Sequence, residues 1–450
     1  MSCLTRQDHG GLVVLTGAGA SKACGLPDMW EFAHLFHQAV KGNGGTPEEL
    51  DTTERLLYGV PGVSAQGIPC DLNTDLEGLL GALLVLKDGA HSSDPAARLL
   101  TSLVQEWTNT FATTMEQLAE SGTRLADQFS GVKSEAGVSQ PDPGVSALQE
   151  GPLRLIESAQ YHAPSVRGGF SSLPGAESVG GLSSQLHNAK NEIEKWKRSV
   201  DVLPRVSTIL LEKAKELILG TYSQVRPEIV QETYEPAYAV MQKYARGTLD
   251  LFTLNYDPAI EIFCTLKGIT LLTGFVAEGI ERVWRNRFET ANAGGSLRVR
   301  LYKLHGSVTW FSYDSKIIEV SGGFGQQTFV TLTGKPAQNM VIYPALSKET
   351  YSEPYASLMD HFRTTLRTAD CCLVIGCSFR DEEVVSLLGH MTKENDRLHV
   401  IQCGMSEAKV RSLAHLNSLA TKMIFMRSRF GEREFADELD AILGRLRPQF

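Results

Sequence analysis

GLVVLTGAGASKACGLPD, running from Gly11 to Asp28, joins an apolar run to a glycine turn. Leu12 to Thr16 reads as a buried strand and the residues after it as the turn into a helix. Gly17 and Gly19 lack Cβ atoms. The backbone around Ala18 can therefore turn sharply and set its N–H groups against a phosphate at the start of the next segment. Ser21 adds a hydroxyl donor. Lys22 stands where the dinucleotide fingerprint G-x-G-x-x-G has its third glycine, so a plain strand-to-helix turn competes with the phosphate reading.

Three further segments repeat the arrangement. LFTLNYD (Leu251 to Asp257), LYKLHGS (Leu301 to Ser307) and LVIGCSFRDEE (Leu373 to Glu383) each put polar residues or glycine directly after an apolar, strand-like run. In an open parallel sheet the carboxyl ends of the strands form the ligand crevice. The C-terminal third alternates helix and strand: Tyr355 to Arg367, Cys371 to Ile375, Asp381 to Met391, Leu398 to Cys403, and a last helix from Glu434 to Leu446. This alternation predicts an α/β fold, a doubly wound parallel Rossmann-like sheet, carrying a large and mainly helical insertion.

Boundaries follow from the pattern. Residues 1–75 and 246–450 are expected to form the nucleotide-binding domain, and residues 76–245 the insertion. A helix is expected from Met29 to Val40. Helical spacing of apolar residues recurs at Leu76 to Leu86, Ala96 to Ala119, Leu186 to Val200, Ser207 to Leu219 with Gly220 as a stop, and Glu235 to Ala245. Gly131 to Ser184 is rich in Gly, Ser and Pro and reads as a long surface excursion or a partly disordered segment, whose Arg, Phe and Leu residues could equally serve a subunit contact. Strands are expected at Leu249 to Leu254, at Leu297 to Leu304 and Val308 to Phe311 flanking His305, and at Phe329 to Leu332 and Met340 to Ile342.

Composition sets limits. A chain of 450 residues, 42% hydrophobic and 21% charged, can bury a large core in two or three units. No apolar run has the length of a membrane span, and Met1 to Gly10 lacks the regions of a signal peptide, so a cytoplasmic protein without a membrane anchor is expected. The net charge of −9, without a long basic run, argues against direct nucleic-acid binding. The eight cysteines, Cys3, Cys24, Cys70, Cys264, Cys371, Cys372, Cys377 and Cys403, include no C-x-x-C pair. Most lie in or beside apolar runs, which suits buried thiols rather than metal ligands.

Several side chains could carry chemistry. The Asn255 amide both donates and accepts, which suits gripping hydroxyls and orienting a water; a helix-capping role for Asn255 or Asp257 ahead of Pro258 is the competing reading. His305 can take a proton near neutral pH, and Gly306 beside it leaves room for a substrate; a satisfied structural histidine after an apolar strand is the competing reading. Gly376 and Ser378 end a strand where a turn can hold half of a dinucleotide, or merely cap the next helix. Gln402 and Gly404, at the end of the following strand, are weaker candidates.

The order and wording of these segments resemble the sirtuin family, and more closely its bacterial branch of sirtuin-like NAD-consuming defence proteins, over residues 11–37 and 248–404. The resemblance implies NAD as substrate, held by Gly17, Ala18, Gly19, Ser21, Asp28, Asp257, Gly376 and Ser378. It implies Asn255 as the residue that fixes ribose and attacking water, His305 as general base, and Asp257 as the holder of the nicotinamide amide. Two departures matter. Deacylating sirtuins carry a zinc module built from two C-x-x-C pairs, missing here, and a Gly-Ile-Pro-Asp-Phe-Arg string where this chain has Gly25 to Trp30, GLPDMW. Hydrolysis by water, with no metal, is thus expected over transfer to an acyl-lysine. The implied protein is an NAD glycohydrolase, the NAD-depleting effector of an antiphage system. It would be a homo-oligomer with a partner such as a HerA-type ATPase, an Argonaute protein or a nucleotide-signal synthase. A protein deacylase and a non-catalytic NAD- or ADP-ribose-binding regulatory subunit remain the alternatives.

Overall fold

The computed structural model describes residues 11–42, 44–58, 74–88, 176–245, 247–289, 297–320, 338–341, 352–413 and 416–446, with seven residues scattered between 99 and 124. The expected helix at Ala96 to Ala119 lies largely outside these residues. The strand at Phe329 to Leu332, Cys3 and Cys70 lie wholly outside them.

Among the described residues twelve strands are formed. β1 (Leu12–Thr16), β2 (Thr248–Thr253), β3 (Thr270–Leu272), β6 (Arg298–Lys303), β10 (Cys371–Ile375), β11 (His399–Cys403) and β12 (Met423–Phe425) make one sheet. β4 (Gly274–Glu278), β5 (Glu281–Arg287), β7 (Gly306–Tyr313), β8 (Lys316–Glu319) and β9 (Gln338–Val341) make a second. The seven-stranded sheet has the order β12-β11-β10-β1-β2-β6-β3 and every pairing in it is parallel. The chain starts at β1, builds toward β3, and then returns to place β10 on the other side of β1. The direction of winding therefore reverses between β1 and β10, where ligands bind in sheets of this kind. The expected Rossmann-like α/β fold is formed.

Burial explains the near-continuous apolar runs of the strands. Leu12, Val14, Leu251, Leu301, Leu373 and Ile401 point to one face, where the helices Pro227–Tyr244, Ala259–Lys267 and Phe435–Leu446 cover them. Val13, Leu15, Phe252, Tyr302, Val374 and Val400 point to the other, under the helices Tyr355–Thr368 and Glu382–Glu394. A parallel sheet covered on both sides has this signature.

The second sheet is antiparallel, in the order β4-β5-β8-β7-β9, and was not read from the sequence as a separate layer. Its Phe275, Trp284 and Trp310 join the core that contains Phe252 and Tyr302. The chain forms two compact units: Met1–Gly45, Ser64–Leu83 and Ile209–Phe450 in one, Thr46–Val63 and Leu84–Thr208 in the other. Both sheets belong to the first. Described helices of the second are Pro47–Tyr58 and the earlier part of a 47-residue helix, Ala176–Tyr222, so a large helical region is present.

That long helix changes two expectations. Ala176 to Ser184 is helical rather than part of an irregular excursion, whereas residues 131–175 lie outside the described residues. Gly220 does not stop the helix, which continues to Tyr222. The Tyr222 ring stacks on Phe32 with centroids 5.6 Å apart, and its hydroxyl donates to the Pro27 carbonyl, contacts that reward two more helical residues.

Candidate functional site

Strand register assembles the site. Thr16 lies opposite Ile375 on one side and Thr253 on the other; Thr253 lies opposite Lys303, and Ile375 opposite Cys403. Five strands thus end level. The ladder continues one residue further, with the Leu254 N–H donating to Thr16 O and the Leu304 N–H to Thr253 O. Gly17, Asn255, His305, Gly376 and Gly404 consequently emerge along one edge, and all five line a cavity of about 770 Å³. That volume lies within the usual range of small-molecule sites, about 300–1,000 Å³.

The glycines also pack two loops together while lining the cavity. Gly17 donates its N–H to Ile375 O and Gly19 to Gly376 O, both at 2.9 Å, and Ala20 donates to Gly17 O. A Cβ on Gly19 would lie 2.7 Å from Gly376 Cα, and one on Gly376, at φ +65°, would collide with Ala20 N. These glycines let two loops touch backbone to backbone across the point where the winding reverses. Gly306 is similar: at φ +79° its missing Cβ makes room for the Met340 carbonyl of β9, not for a substrate.

Asn255 donates from Nδ2 to Gly17 O at 2.9 Å, and its N–H donates to Thr253 Oγ1 at 3.0 Å. With its amide nitrogen held by the glycine turn, the side-chain oxygen is left without a partner among the described residues. His305, mostly buried, places Nε2 2.7 Å from Asp381 Oδ2. Asp381 is also the N-cap of the helix Glu382–Glu394, accepting from the Val384 N–H at 3.0 Å. Burial works against its charge, but the hydrogen bond and attraction of His305, together with backbone N–H groups, hold its carboxyl below the usual range. With Nε2–H directed at Asp381, the basic lone pair of His305 sits on Nδ1.

Ser21 and Asp257 are brought together, but away from the cavity lining. The Ser21 hydroxyl donates to Asp257 Oδ2 at 2.5 Å, and Asp257 Oδ1 accepts from the Ala259 N–H at 3.0 Å. Both are buried, and Asp257 satisfies the first N–H of the helix Ala259–Lys267, whose N-cap position is Pro258. Asp28 does line the cavity. Its carboxyl accepts from the N–H groups of Trp30 and Glu31 and from Lys22 Nζ at 2.7 Å. Burial opposes its charge, and these bonds more than compensate, holding it below the ordinary range. Ser378 is exposed on the lining, and Gly404 also lines it, whereas Gln402 is buried beneath.

Among the lining residues to which the sequence assigned no role are Asp381, Arg380, Asp75 and Glu77. The Arg380 guanidinium lies 4.8 Å from the Trp30 ring centroid and forms an ion pair with Asp75. Asp75 in turn caps the helix Leu76–Asp88 by accepting from the Gly78 N–H at 3.0 Å. The signal for Asp381 was its place at a helix start three residues beyond Ser378. Asp75 and Glu77 had only a cap-like spacing to show.

Six described cysteines, Cys24, Cys264, Cys371, Cys372, Cys377 and Cys403, are free and buried. Burial pushes the Cys377 thiol far above its ordinary range, which makes it a poor nucleophile although it borders the cavity. Among the described residues no group of His, Cys, Asp and Glu is placed to hold a metal, and no helix is long and apolar enough to cross a membrane.

Residues 250–419 match the SIR2-like domain family, so this part of the chain is sirtuin-like, of a family that uses NAD. The match contains Asn255, Asp257, His305, Gly376, Ser378 and Asp381 and leaves the glycine turn outside. No curated protein matches the chain.

Proposed function

We propose that this sirtuin-like protein is an NAD glycohydrolase, cleaving NAD and water to nicotinamide and ADP-ribose. The observation that carries the reading is the His305–Asp381 pair, 2.7 Å apart, facing the same cavity as Asn255 at the reversal of the sheet. In the proposed reaction the bond between ribose C1′ and the nicotinamide nitrogen breaks, and its electron pair returns to the pyridinium ring. A water oxygen bonds to C1′, and its proton passes to His305 Nδ1. Asp381 stabilises the resulting imidazolium and fixes the tautomer. Asn255 Oδ1 accepts from a ribose hydroxyl or from the water.

The N–H groups of Gly17, Gly19 and Ala20 are already bonded. Pyrophosphate recognition is therefore assigned to the Ala18 N–H, Ser378 and the cations around the cavity, Lys22, Arg380, Lys409 and Arg429. Asp28 would steady Lys22. Ser21 and Asp257 act in this reading from beneath, by holding the loop that carries Asn255. The missing C-x-x-C pairs and Trp30 at the edge of the cavity favour water over an acyl-lysine as acceptor. We place the activity in bacterial antiphage defence, in a cytoplasmic homo-oligomer that depletes NAD with a partner such as a HerA-type ATPase.

Incubation of the full chain with NAD in H₂¹⁸O tests the chemistry. The expected products are equimolar nicotinamide and ADP-ribose with one ¹⁸O at C1′. Nicotinamide release that requires an acylated peptide, with the acyl group appearing on the ribose, would establish the deacylase instead. NAD binding without release would establish a regulatory subunit.

A further inference from the structure

Glu77 is the feature of the cavity that the proposed reaction does not yet use. Among the described residues it is the one lining carboxylate without a hydrogen-bond or ion-pair partner. Asp28, Asp75, Asp381 and Glu432 all have theirs. It occupies the first turn of the helix Leu76–Asp88, and the start of that helix is anchored twice. Asp75 caps it, and the Asp75–Arg380 ion pair ties it to the residue preceding Asp381. Glu77 is close enough to His305 and Asp381 to feel the charge of both, and burial raises its pKa above the ordinary carboxylate range. Glu77 is only partly buried, yet a partly desolvated carboxyl without a partner is stabilised less than a paired one, and such groups cluster where chemistry needs them.

Glycosidic cleavage passes through a transition state with positive charge on the sugar, and a fixed carboxylate near the anomeric carbon lowers its energy. We propose that Glu77 is a catalytic residue whose ionised carboxylate faces the nicotinamide ribose and stabilises the cationic C1′ centre as nicotinamide departs. This inference rests on the glycohydrolase reading. Glu77 takes no proton in the step: the C1′–N bond breaks with its electrons going to nicotinamide, the C1′–O bond forms from water, and the water's proton goes to His305. The helix N-terminus suits an anion at this position, and Asp75 leaves Glu77 free by taking the capping role itself.

Three readouts on purified full-length Glu77→Gln test it: NAD turnover, calorimetric affinity for ADP-ribose, and the thermal midpoint near neutral pH. Turnover is expected to fall by about 100-fold or more, the scale of losing one preorganised stabilising group. ADP-ribose affinity should be preserved. The thermal midpoint should stay the same or rise, because a carboxyl whose pKa is raised by folding is penalised when ionised, and Gln removes that penalty. Glu77→Asp should recover part of the rate. Turnover of Glu77→Gln at the wild-type rate would overturn the role of Glu77 while leaving glycohydrolysis standing. A lost rate accompanied by a lower midpoint and weakened ADP-ribose binding would show a structural residue. A wild-type protein that releases no nicotinamide would remove the glycohydrolase reading and this inference together.

Discussion

Asp381 decides which nitrogen of His305 is basic, because its carboxylate accepts the hydrogen bond from the proton on Nε2. Asp381→Asn preserves shape and the cap on Val384 but can present an N–H to Nε2, which then becomes the acceptor and moves the imidazole proton to Nδ1. Turnover should fall by about 100-fold or more with little change in thermal midpoint. Retained activity would mean that Nε2, released from Asp381 by the substrate, is the base. Cys377→Ala is the matching control, expected to leave turnover within about twofold, since the buried thiol is held protonated. That Asn255 and His305 line the cavity was legible in the sequence, because each lies just past the end of an apolar strand. The pairing of His305 with Asp381, 76 residues later, was not, because the same aspartate serves equally as a helix cap. Ser21 and Asp257 show the converse, polar residues in motif positions whose side chains satisfy each other.

Elements place these residues, and strand register is the main device. Lys303, 1% exposed at the end of β6, donates to the Asp257 carbonyl at 2.5 Å and to Glu261 at 2.9 Å. It thereby joins the loop bearing Asn255 to the strand that ends before His305. The two glycine loops join β1 to β10 in the same way, and a Gly19→Ala protein should be destabilised by about 1–3 kcal/mol, since Gly376 Cα must move. Urea melts measure this; an unchanged midpoint would show that the loops have slack. The seven-stranded sheet was readable because strands buried on both faces are apolar without interruption. The five-stranded sheet was not, because β4, β5 and β8 are short, partly exposed and charged, as in GFVAE, ERVWRNR and KIIE. Gly220 misled because a tertiary contact of Tyr222 outweighs the modest helical penalty of glycine.

For the whole molecule, the helical region separates the glycine turn from Asn255 by far more chain than a nucleotide-binding sheet needs, and loops of such length are usually functional. Removal of residues 131–175 is expected to change the oligomeric state or the rate of NAD turnover, measured by light scattering and nicotinamide release; no change in either would reduce the segment to a linker. Elemental analysis of the purified chain should find no stoichiometric zinc, and one zinc per chain would reveal ligands drawn from distant residues. In the proposed reaction one cavity, where five strands end level, hydrolyses NAD through His305 and Asn255. Nicotinamide release from NAD by the full chain, measured for wild type, His305→Ala and Asn255→Ala with a thermal melt of each, tests it most directly. Both variants should fold and lose at least about 100-fold in rate, with His305→Ala still binding ADP-ribose. A folded His305→Ala protein that releases nicotinamide at the wild-type rate would rule out His305 as the base.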